Sequence, residues 1–568
     1  MSFQNTPPIS PPSAPMPPPP GPGGPPSSLA RAMAQTANEM TVVYFTASIV
    51  ALATILITSH FANNLLMSSR PQRKDVLGRR LIVTTRFVRN GMLHRVPFFN
   101  TLGHALVFAA YFVINIALIL QNLDLTQSRN WAKRLGWITT CNIGLITFLA
   151  LKNTPLAFLA TYSYERLNIL HQAAGYCTVF FTILHALLWI VTWAENDHLQ
   201  GLLELDNVMG IIAGFAMLSM LSTALILKRV RYEAFYIVHI TMFMLILITA
   251  GMHRPDLVTK STYVIIFAAG IWVSDRILRG SRMLWYSFSN RVTIHPLPQG
   301  GVRITMRRTP WRAVPGTHVF LWIPKARAIE THPFTIISTN PLELVVSAQN
   351  GFTKDLYSLA SKTPGVVLRA SCDGPYGTIP NFAKFDQVVL VAGGSGATFT
   401  LGVALKLIRK MSPGGARPVI HFIWVVRDQE AQSWFEKELT ELAVSPLVTL
   451  TIYVTRSIGA CTPPEKQAPN EVITRAQSFE KSETDPEKAA SGSCSPTSPT
   501  TDTLPTMLSR PDISTTIRSI LSVTSEEERT IVAACGPVGL MKDVRDVVGD
   551  VVVDSGRSVA FHCEQFGW

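Results

Sequence analysis

The stretch HQAAGYCTVFFTILH, residues 171–185, places a histidine at each end of an otherwise largely apolar segment. A second stretch, HITMFMLILITAGMH at residues 239–253, repeats this arrangement with the same spacing (185 − 171 = 14 and 253 − 239 = 14). In an α-helix fourteen residues make nearly four turns, so the two imidazoles of each stretch lie within about 40° of one face and about 21 Å apart. The two stretches therefore predict two levels of facing imidazoles on a pair of helices.

The composition indicates a membrane protein. Of 568 residues, 47% are hydrophobic and only 15% are charged, which is too apolar for an ordinary soluble chain. Apolar runs of about 17 to 25 residues are long enough to span a bilayer. The sequence predicts about seven of them, at residues 41–60, 102–121, 135–151, 170–193, 207–228, 234–253 and 262–280.

The net charge of +13 does not indicate nucleic-acid binding, because much of the excess lies between the spans. Basic residues follow the first span within residues 70–95, separate the fifth from the sixth within 228–231, and end the seventh within 276–282. Cytoplasmic loops carry such an excess of Lys and Arg. The prediction is an outside N-terminus and a cytosolic region after Arg282.

Two external loops bear on this orientation in opposite ways. Residues 194–206 contain four acidic residues and no Lys or Arg, which agrees with an external position. The loop that carries Arg129, Lys133 and Arg134 breaks the positive-inside rule and is outvoted by the other loops.

Composition also divides the chain. Residues 1–39 are predicted to be a disordered, Pro-rich tail, and residues 40–282 a transmembrane domain. Short alternating β runs over 283–380 predict a β-barrel domain. Alternating strands and helices over 384–568 predict a parallel α/β domain, interrupted by a disordered polar insert at about 459–527.

The four histidines have several possible roles. A single polar residue in a span often makes an interhelical hydrogen bond, but matched spacing and depth in two helices argue against that role here. Zinc fits poorly because two imidazoles supply half of a tetrahedron. A haem with two axial imidazoles fits, and its filled axial positions assign it to electron transfer. The predicted iron ligands are His171 with His239 at the inner level and His185 with His253 at the outer level.

The motifs HPFTIIS (332–338) and NGFTKDL (350–356) lie between the β-barrel segment and the α/β segment. With the paired histidines, they make the chain resemble the membrane ferric reductase and NADPH oxidase superfamily over about residues 100–568, excluding the insert. The resemblance implies a multi-span α-helical domain with two stacked haems. A cytosolic module like ferredoxin–NADP reductase follows, with an antiparallel FAD-binding β-barrel and a parallel α/β NADPH-binding domain.

The resemblance implies roles for individual residues in the flavin domain. The FAD-binding residues it implies are His332, Pro333, Phe334, Thr335, Ser338, Gly351 and Thr353. The motif DGPYG (373–377) corresponds to a loop that closes the flavin domain beside the nicotinamide site.

The stretch LVAGGSGAT (390–398) predicts a strand, a Gly-rich turn and the start of a helix. Glycines let a backbone approach a phosphate at a helix N-terminus, although such a turn is as often a simple connection. By resemblance, NADPH is bound by Gly393, Gly394, Ser395, Gly396, Thr398, Arg427, Gly536 and Pro537. Arg427 is implied to contact the 2′-phosphate, Cys535 to lie near the hydride path, and the terminal Trp568 to cover the flavin.

The function implied is transfer of electrons from cytosolic NADPH through FAD and two b-type haems to an external ferric chelate, with cupric ion as a further acceptor. The resemblance suggests the plasma membrane, or a vacuolar membrane, and a downstream iron permease or ferroxidase as partner. An NADPH oxidase that makes superoxide is the alternative. It is disfavoured by the equal histidine spacings, the terminal Trp and the short outer loops. A transporter or receptor whose histidines bind protons or metal is a third class, which the flavin and nucleotide motifs disfavour.

Overall fold

The computed structural model describes residues 28–68, 88, 91–92, 96, 99, 101–253, 260–410, 418–456, 504–525, 528–555 and 559–564. The chain divides into two compact units. The first comprises Met1–Ser59, Leu106–Pro155 and Tyr164–Asp275, and the second comprises the remainder.

Helices make up the first half of the chain. Their bounds are α1 Ser28–Ser68, α2 Leu102–Leu120, α3 Ser128–Leu149, α4 Pro155–Ala160, α5 Tyr164–Glu195, α6 Leu205–Leu225, α7 Leu227–Val230, α8 Tyr232–His253 and α9 Lys260–Ser287. Six stretches in the described ranges are long and apolar enough to cross a membrane: Ala32–Ala62, Leu102–Leu120, Tyr164–Glu195, Leu205–Val230, Tyr232–His253 and Lys260–Ser287.

The predicted third span corresponds to α3, which is less apolar than the six stretches above. The first turns of α3 carry three basic residues, and most of the helix is buried. Its Asn142 is fully buried, donates to Asn115 Oδ1 at 2.7 Å and accepts from the Tyr111 hydroxyl at 2.7 Å. Because neighbouring helices enclose α3 and satisfy its polar groups, it does not need the apolar surface of a lipid-facing helix.

The predicted N-terminal tail was too long. Helix α1 begins at Ser28, so the end of the tail predicted over residues 1–39 is helical. The Pro-rich run ends at Pro26, and the following SLARAMAQTANEM is rich in Ala, Leu and Met, which favour helix.

An antiparallel sheet opens the second half of the chain. Its strands are β1 Arg291–Leu297, β2 Gly301–Met306, β3 His318–Trp322, β4 His332–Thr339, β5 Leu342–Ser347, β6 Val366–Arg369 and β7 Ser371–Tyr376, in the order β6-β1-β2-β5-β4-β3-β7. Helix α10, Phe352–Lys362, packs on this sheet with Phe352 and Leu356 buried. A hairpin forms at residues 298–300, where β1 turns back into β2 with Leu297 opposite Gly301.

A six-stranded parallel sheet follows, in the order β11-β10-β9-β8-β12-β13. The strands are β8 Gln387–Gly393, β9 Val419–Val426, β10 Val448–Val454, β11 Thr506–Met507, β12 Thr530–Cys535 and β13 Val559–Glu564. The helices are α11 Ala397–Arg409, α12 Glu436–Val444, α13 Ile513–Val523 and α14 Val538–Ser555. Nearly continuous apolar residues in β8 and β12 bury both faces of the central strands, as a parallel sheet requires.

The last part of the insert predicted over 459–527 belongs to this fold. Strand β11 pairs with β10, and α13 packs on α14 through buried Ile513, Ile517 and Leu521. Their spacing of four residues was a helix signal hidden by the surrounding Ser and Thr. The remaining insert residues, 457–503, lie outside the described residues.

We expect deletion of residues 469–498 to leave the midpoint of thermal unfolding unchanged. The remaining chain still provides the dozen or so residues that a crossover between the parallel strands β10 and β11 needs. Deletion of 462–525 should lower that midpoint markedly, because it also removes β11 and the buried face of α13. Circular dichroism melts of both variants would check this, and equal midpoints would contradict the placement of α13 in the core.

Candidate functional site

The four histidines lie in two facing pairs between α5 and α8. The ring centroids of His171 and His239 are 6.3 Å apart, and those of His185 and His253 are 6.2 Å apart. Because the first members of each stretch face each other, and so do the last, α5 and α8 run in the same direction. Along each helix the two levels are about 21 Å apart.

Backbone carbonyls orient most of these imidazoles. Nδ1 of three of them lies within hydrogen-bond distance of a carbonyl oxygen: His171 with Ile146 at 2.9 Å, His185 with Ala132 at 2.7 Å and His253 with Asp206 at 2.7 Å. A carbonyl only accepts, so Nδ1 carries the proton and donates it, which leaves the Nε2 lone pair for a metal. Nδ1 of His239 is buried and has no hydrogen-bond partner in the described part of the chain.

Two glycines let neighbouring helices approach the outer pair. A Cβ at Gly136 of α3 would lie 2.8 Å from Cε1 of His185. A Cβ at Gly210 of α6 would lie 2.6 Å from Nδ1 of His253. These distances are too short for any other residue, so the two positions are fitted to the imidazoles. Sequence reasoning missed both, because the sequence does not show which glycines of neighbouring helices pack against a histidine.

These pairs fit a haem better than a bare metal ion. Two imidazoles bound to one metal through Nε2 bonds of about 2 Å place their centroids roughly 6 Å apart, close to the observed separations. No group of three or more His, Cys, Asp or Glu side chains suited to a metal occurs in the described ranges. A metal at either level would therefore take its other ligands from a non-protein group, as iron does in a haem with two axial histidines.

In the flavin domain, His332, Pro333, Phe334, Thr335 and Ser338 all lie on strand β4. The His332 ring stacks on Phe352 of α10 with 4.6 Å between centroids, and Phe334 stacks on the same ring at 6.1 Å. Phe352 was not among the predicted residues, although it directly follows Gly351 in the same motif. The three rings form one aromatic group between β4 and α10.

The other predicted flavin residues lie at the start of α10. Gly351 precedes the helix with a positive φ of 66°, which glycine adopts without strain, and no side chain caps the helix N-terminus. The Thr353 hydroxyl accepts a hydrogen bond from the backbone N–H of Gln349 at 2.8 Å. An uncapped helix N-terminus behind a glycine suits a phosphate or pyrophosphate group.

The DGPYG motif differs from its predicted role as a loop. Residues 373–376 belong to strand β7, and Asp373 is fully buried. Its carboxylate pairs with Arg279 Nε at 2.7 Å and Arg282 Nη2 at 2.8 Å, both at the end of α9. These arginines are part of the basic run that predicted cytosolic orientation. Two guanidinium groups and the Tyr376 hydroxyl compensate the buried carboxylate.

The two predicted nucleotide motifs meet at the carboxyl ends of β8 and β12, where Ala392 lies opposite Cys535. A Cβ at Gly396 would lie 2.2 Å from the Cys535 carbonyl oxygen, and one at Gly536 would lie 2.9 Å from the Gly393 Cα. The Gly393–Gly396 turn and the Cys535–Pro537 turn therefore interlock through bare backbone. Gly394 has a φ of 54° and open space where a side chain would be, and Thr398 lies in the first turn of α11.

A residue that sequence reasoning missed holds the Gly-rich turn. The buried Trp424 of β9 donates its indole N–H to the Gly394 carbonyl at 3.0 Å. Three residues later, Arg427 lies exposed just beyond the end of β9, at the same edge of the sheet. Burial raises the pKa of the Cys535 thiol, so this residue is a neutral thiol at neutral pH. Trp568 lies outside the described residues.

Three family descriptions match the chain. "Ferric reductase like transmembrane component" matches residues 135–250, "FAD-binding domain" matches 286–380, and "Ferric reductase NAD binding domain" matches 385–549.

Fungal proteins are similar in sequence. "Probable cell surface ferric reductase kap2" of Aspergillus oryzae is 29% identical over 339 residues, which cover 54% of this chain and 45% of that protein. "Ferric/cupric reductase transmembrane component 1" of Candida albicans is 24% identical over 454 residues, covering 77% of this chain and 57% of that protein. The chain thus spans about half the length of these relatives.

Among solved structures, a flavohemoglobin from Malassezia yamatoensis with bound FAD and heme has a TM-score of 0.35 at 14% identity, over 78% of this chain and 99% of that one. The three family descriptions match in the order in which the helical region, the antiparallel sheet and the parallel sheet follow one another. The chain is therefore an integral membrane protein that carries, in order, a transmembrane component like that of ferric reductases, an FAD-binding domain and an NAD-binding domain of the ferric reductase type.

Proposed function

We propose that this protein transfers electrons from cytosolic NADPH across a membrane to an external ferric chelate, and also to cupric ion, in support of reductive iron uptake. FAD held by β4 and the start of α10 would supply the exchange between a hydride donor and single electrons, and b-type haems held by the four histidines would supply one-electron carriers across the bilayer. The N-terminus is external, the region after Arg282 is cytosolic, and the membrane is the plasma membrane.

One observation carries this proposal: two facing histidine pairs at two levels of one helix bundle, in a chain that also carries FAD-binding and NAD-binding domains. Iron with two axial imidazoles has no open position for a substrate, so such a site serves electron transfer. Two levels along the same helices suit stepwise passage across the bilayer. The names of the fungal relatives support a ferric or cupric acceptor.

Acceptor profiling of the purified full-length chain tests the proposal. NADPH consumption would be measured with ferric chelate, cupric ion and oxygen, with and without superoxide dismutase. We expect fast turnover with ferric chelate that the dismutase leaves unchanged. Turnover with oxygen alone, with superoxide as the product, would instead establish an NADPH oxidase.

We expect His185→Ala or His253→Ala to abolish reduction of external ferric chelate while NADPH oxidation by a soluble dye continues. Each change removes one axial ligand of the outer site and leaves the flavin domain intact. The matched control is His104→Ala, a histidine of α2 outside both pairs, which should keep external reduction. Wild-type external rates in either outer-site variant would refute the assignment.

For Arg427→Ala, we expect the KM for NADPH to rise roughly tenfold or more and the KM for NADH to change little. A charge-assisted hydrogen bond to the 2′-phosphate contributes about 1.5–3 kcal/mol, and NADH lacks that phosphate. Steady-state kinetics with both nucleotides give the comparison. An equal loss with both would make Arg427 a structural residue.

Trp424→Phe should weaken NADP+ binding by about threefold to tenfold, because the Gly394 carbonyl loses a hydrogen bond worth about 0.5–1.5 kcal/mol. Trp434→Phe is the matched control, since the Trp434 indole donates to Pro298 O at 2.8 Å, away from the turn. Equilibrium dialysis with NADP+ compares the two. Similar affinities in both variants would show that Trp424 does not hold the turn for nucleotide binding.

A further inference from the structure

The segment predicted as a loop that breaks the positive-inside rule forms the first turns of α3 and contains one buried arginine. Arg129 is exposed, whereas only 2% of the Arg134 surface is exposed. A buried guanidinium is costly unless its charge and its N–H groups are matched by partners. The contacts of Arg134 therefore show whether its charge and its N–H groups are compensated within the protein.

Among the described residues, the hydrogen bonds of Arg134 go to neutral oxygens. Its Nε donates to the Asn38 side-chain oxygen at 2.8 Å, and its Nη1 donates to the carbonyls of Leu118 and Gln121, both at 2.7 Å. The described residues supply no carboxylate for Arg134 and no hydrogen-bond partner for Nη2. One end of the guanidinium is thus fixed, and the other keeps a positive charge and free donors.

Arg134 lines a cavity of 380 Å³ within the helical unit. The other lining residues include Thr36, Met40 and Tyr44 of α1 and Gln121 and Asn122 after α2, and none of the lining residues is acidic. Met33, also in the lining, is 65% exposed and lies at the mouth. Cavities of this size hold small ligands.

The cavity and the outer histidine pair lie at the same level along α3 but on opposite faces of that helix, because residues two positions apart in a helix point about 160° away from each other. Arg134 lies between Ala132, whose carbonyl accepts from His185, and Gly136, whose Cα closely faces the same ring. The position of Arg134 therefore corresponds to the level at which electrons leave the protein in the proposed function.

We propose that this cavity binds a carboxylate of an anionic ferric chelate of the citrate class and so holds the acceptor at the level of the outer site, across α3 from it. This inference rests on the proposed function. A guanidinium with a free edge binds a carboxylate through short, charge-assisted hydrogen bonds, and the site lacks acidic groups that would repel an anion. Binding of an anion would explain why the start of α3 carries positive charge although it is predicted to be external.

The test compares two one-electron acceptors on the full-length chain in nanodiscs, anionic ferric citrate and cationic hexaammineruthenium(III). Arg134→Gln should raise the KM for ferric citrate about tenfold or more and leave the KM for the ruthenium complex unchanged, because only the anion uses the guanidinium. In Arg134→Lys the KM for ferric citrate should lie between those of wild type and Arg134→Gln, since lysine keeps the charge but lacks the planar guanidinium. Arg129→Gln is the matched control and should leave both constants at wild-type values.

A second variant covers the case in which Arg134→Gln does not fold. Thr36→Glu adds a carboxylate at the exposed edge of the cavity and should raise the KM for ferric citrate alone. An equal change with both acceptors, or a shifted haem absorption spectrum in Arg134→Gln, would overturn the proposal, because Arg134 would then serve the haem site itself.

Binding of gallium(III) citrate, which is not reduced, separates this proposal from the proposed function. Calorimetry without NADPH should show binding to wild type and at least tenfold weaker binding to Arg134→Gln. Equal binding to both would overturn the proposal even in an active reductase. If wild type reduced neither acceptor, the proposed function would fail, and the gallium titration would still decide whether the cavity binds a carboxylate chelate.

Discussion

The helical unit depends on one constraint: four imidazoles must face each other in pairs, about 6 Å apart. Helices α5 and α8 supply the rings, but α3 and α6 fix the orientation of three of them through backbone carbonyls. Those helices must therefore come close, and Gly136 and Gly210 permit the approach. The enclosed position of α3 follows, and so does its polar buried face, which neighbouring helices satisfy instead of lipid.

The nucleotide half depends on a comparable close approach. Two turns from distant parts of the sequence meet at the carboxyl edge of the parallel sheet, and they interlock because Gly393, Gly396 and Gly536 have no side chains. The indole of Trp424 holds the Gly393–Gly396 turn through a hydrogen bond, and Cys535 lies in the Cys535–Pro537 turn as a buried thiol. Ligands of open α/β sheets bind at this edge, which agrees with the match to an NAD-binding domain.

Sequence predicted the features that follow from periodicity. The spacing of fourteen residues placed each histidine opposite its partner because a helix repeats every 3.6 residues. It could not predict partners set by packing, such as the carbonyl of Ala132 or the burial of Asp373 between Arg279 and Arg282. Local composition gave wrong limits for the N-terminal tail and for the polar insert. Helix formers extended α1 back to Ser28, and the apolar face of α13 was concealed among Ser and Thr.

The most direct test of the central claim is the amount of haem bound by the purified full-length chain. A pyridine haemochrome assay, with protein and flavin quantified in the same sample, gives the number of b-type haems per chain. The account predicts two haems in wild type and a reduced-minus-oxidised spectrum of low-spin iron with two histidine ligands. A chain that binds FAD but contains no haem would contradict it.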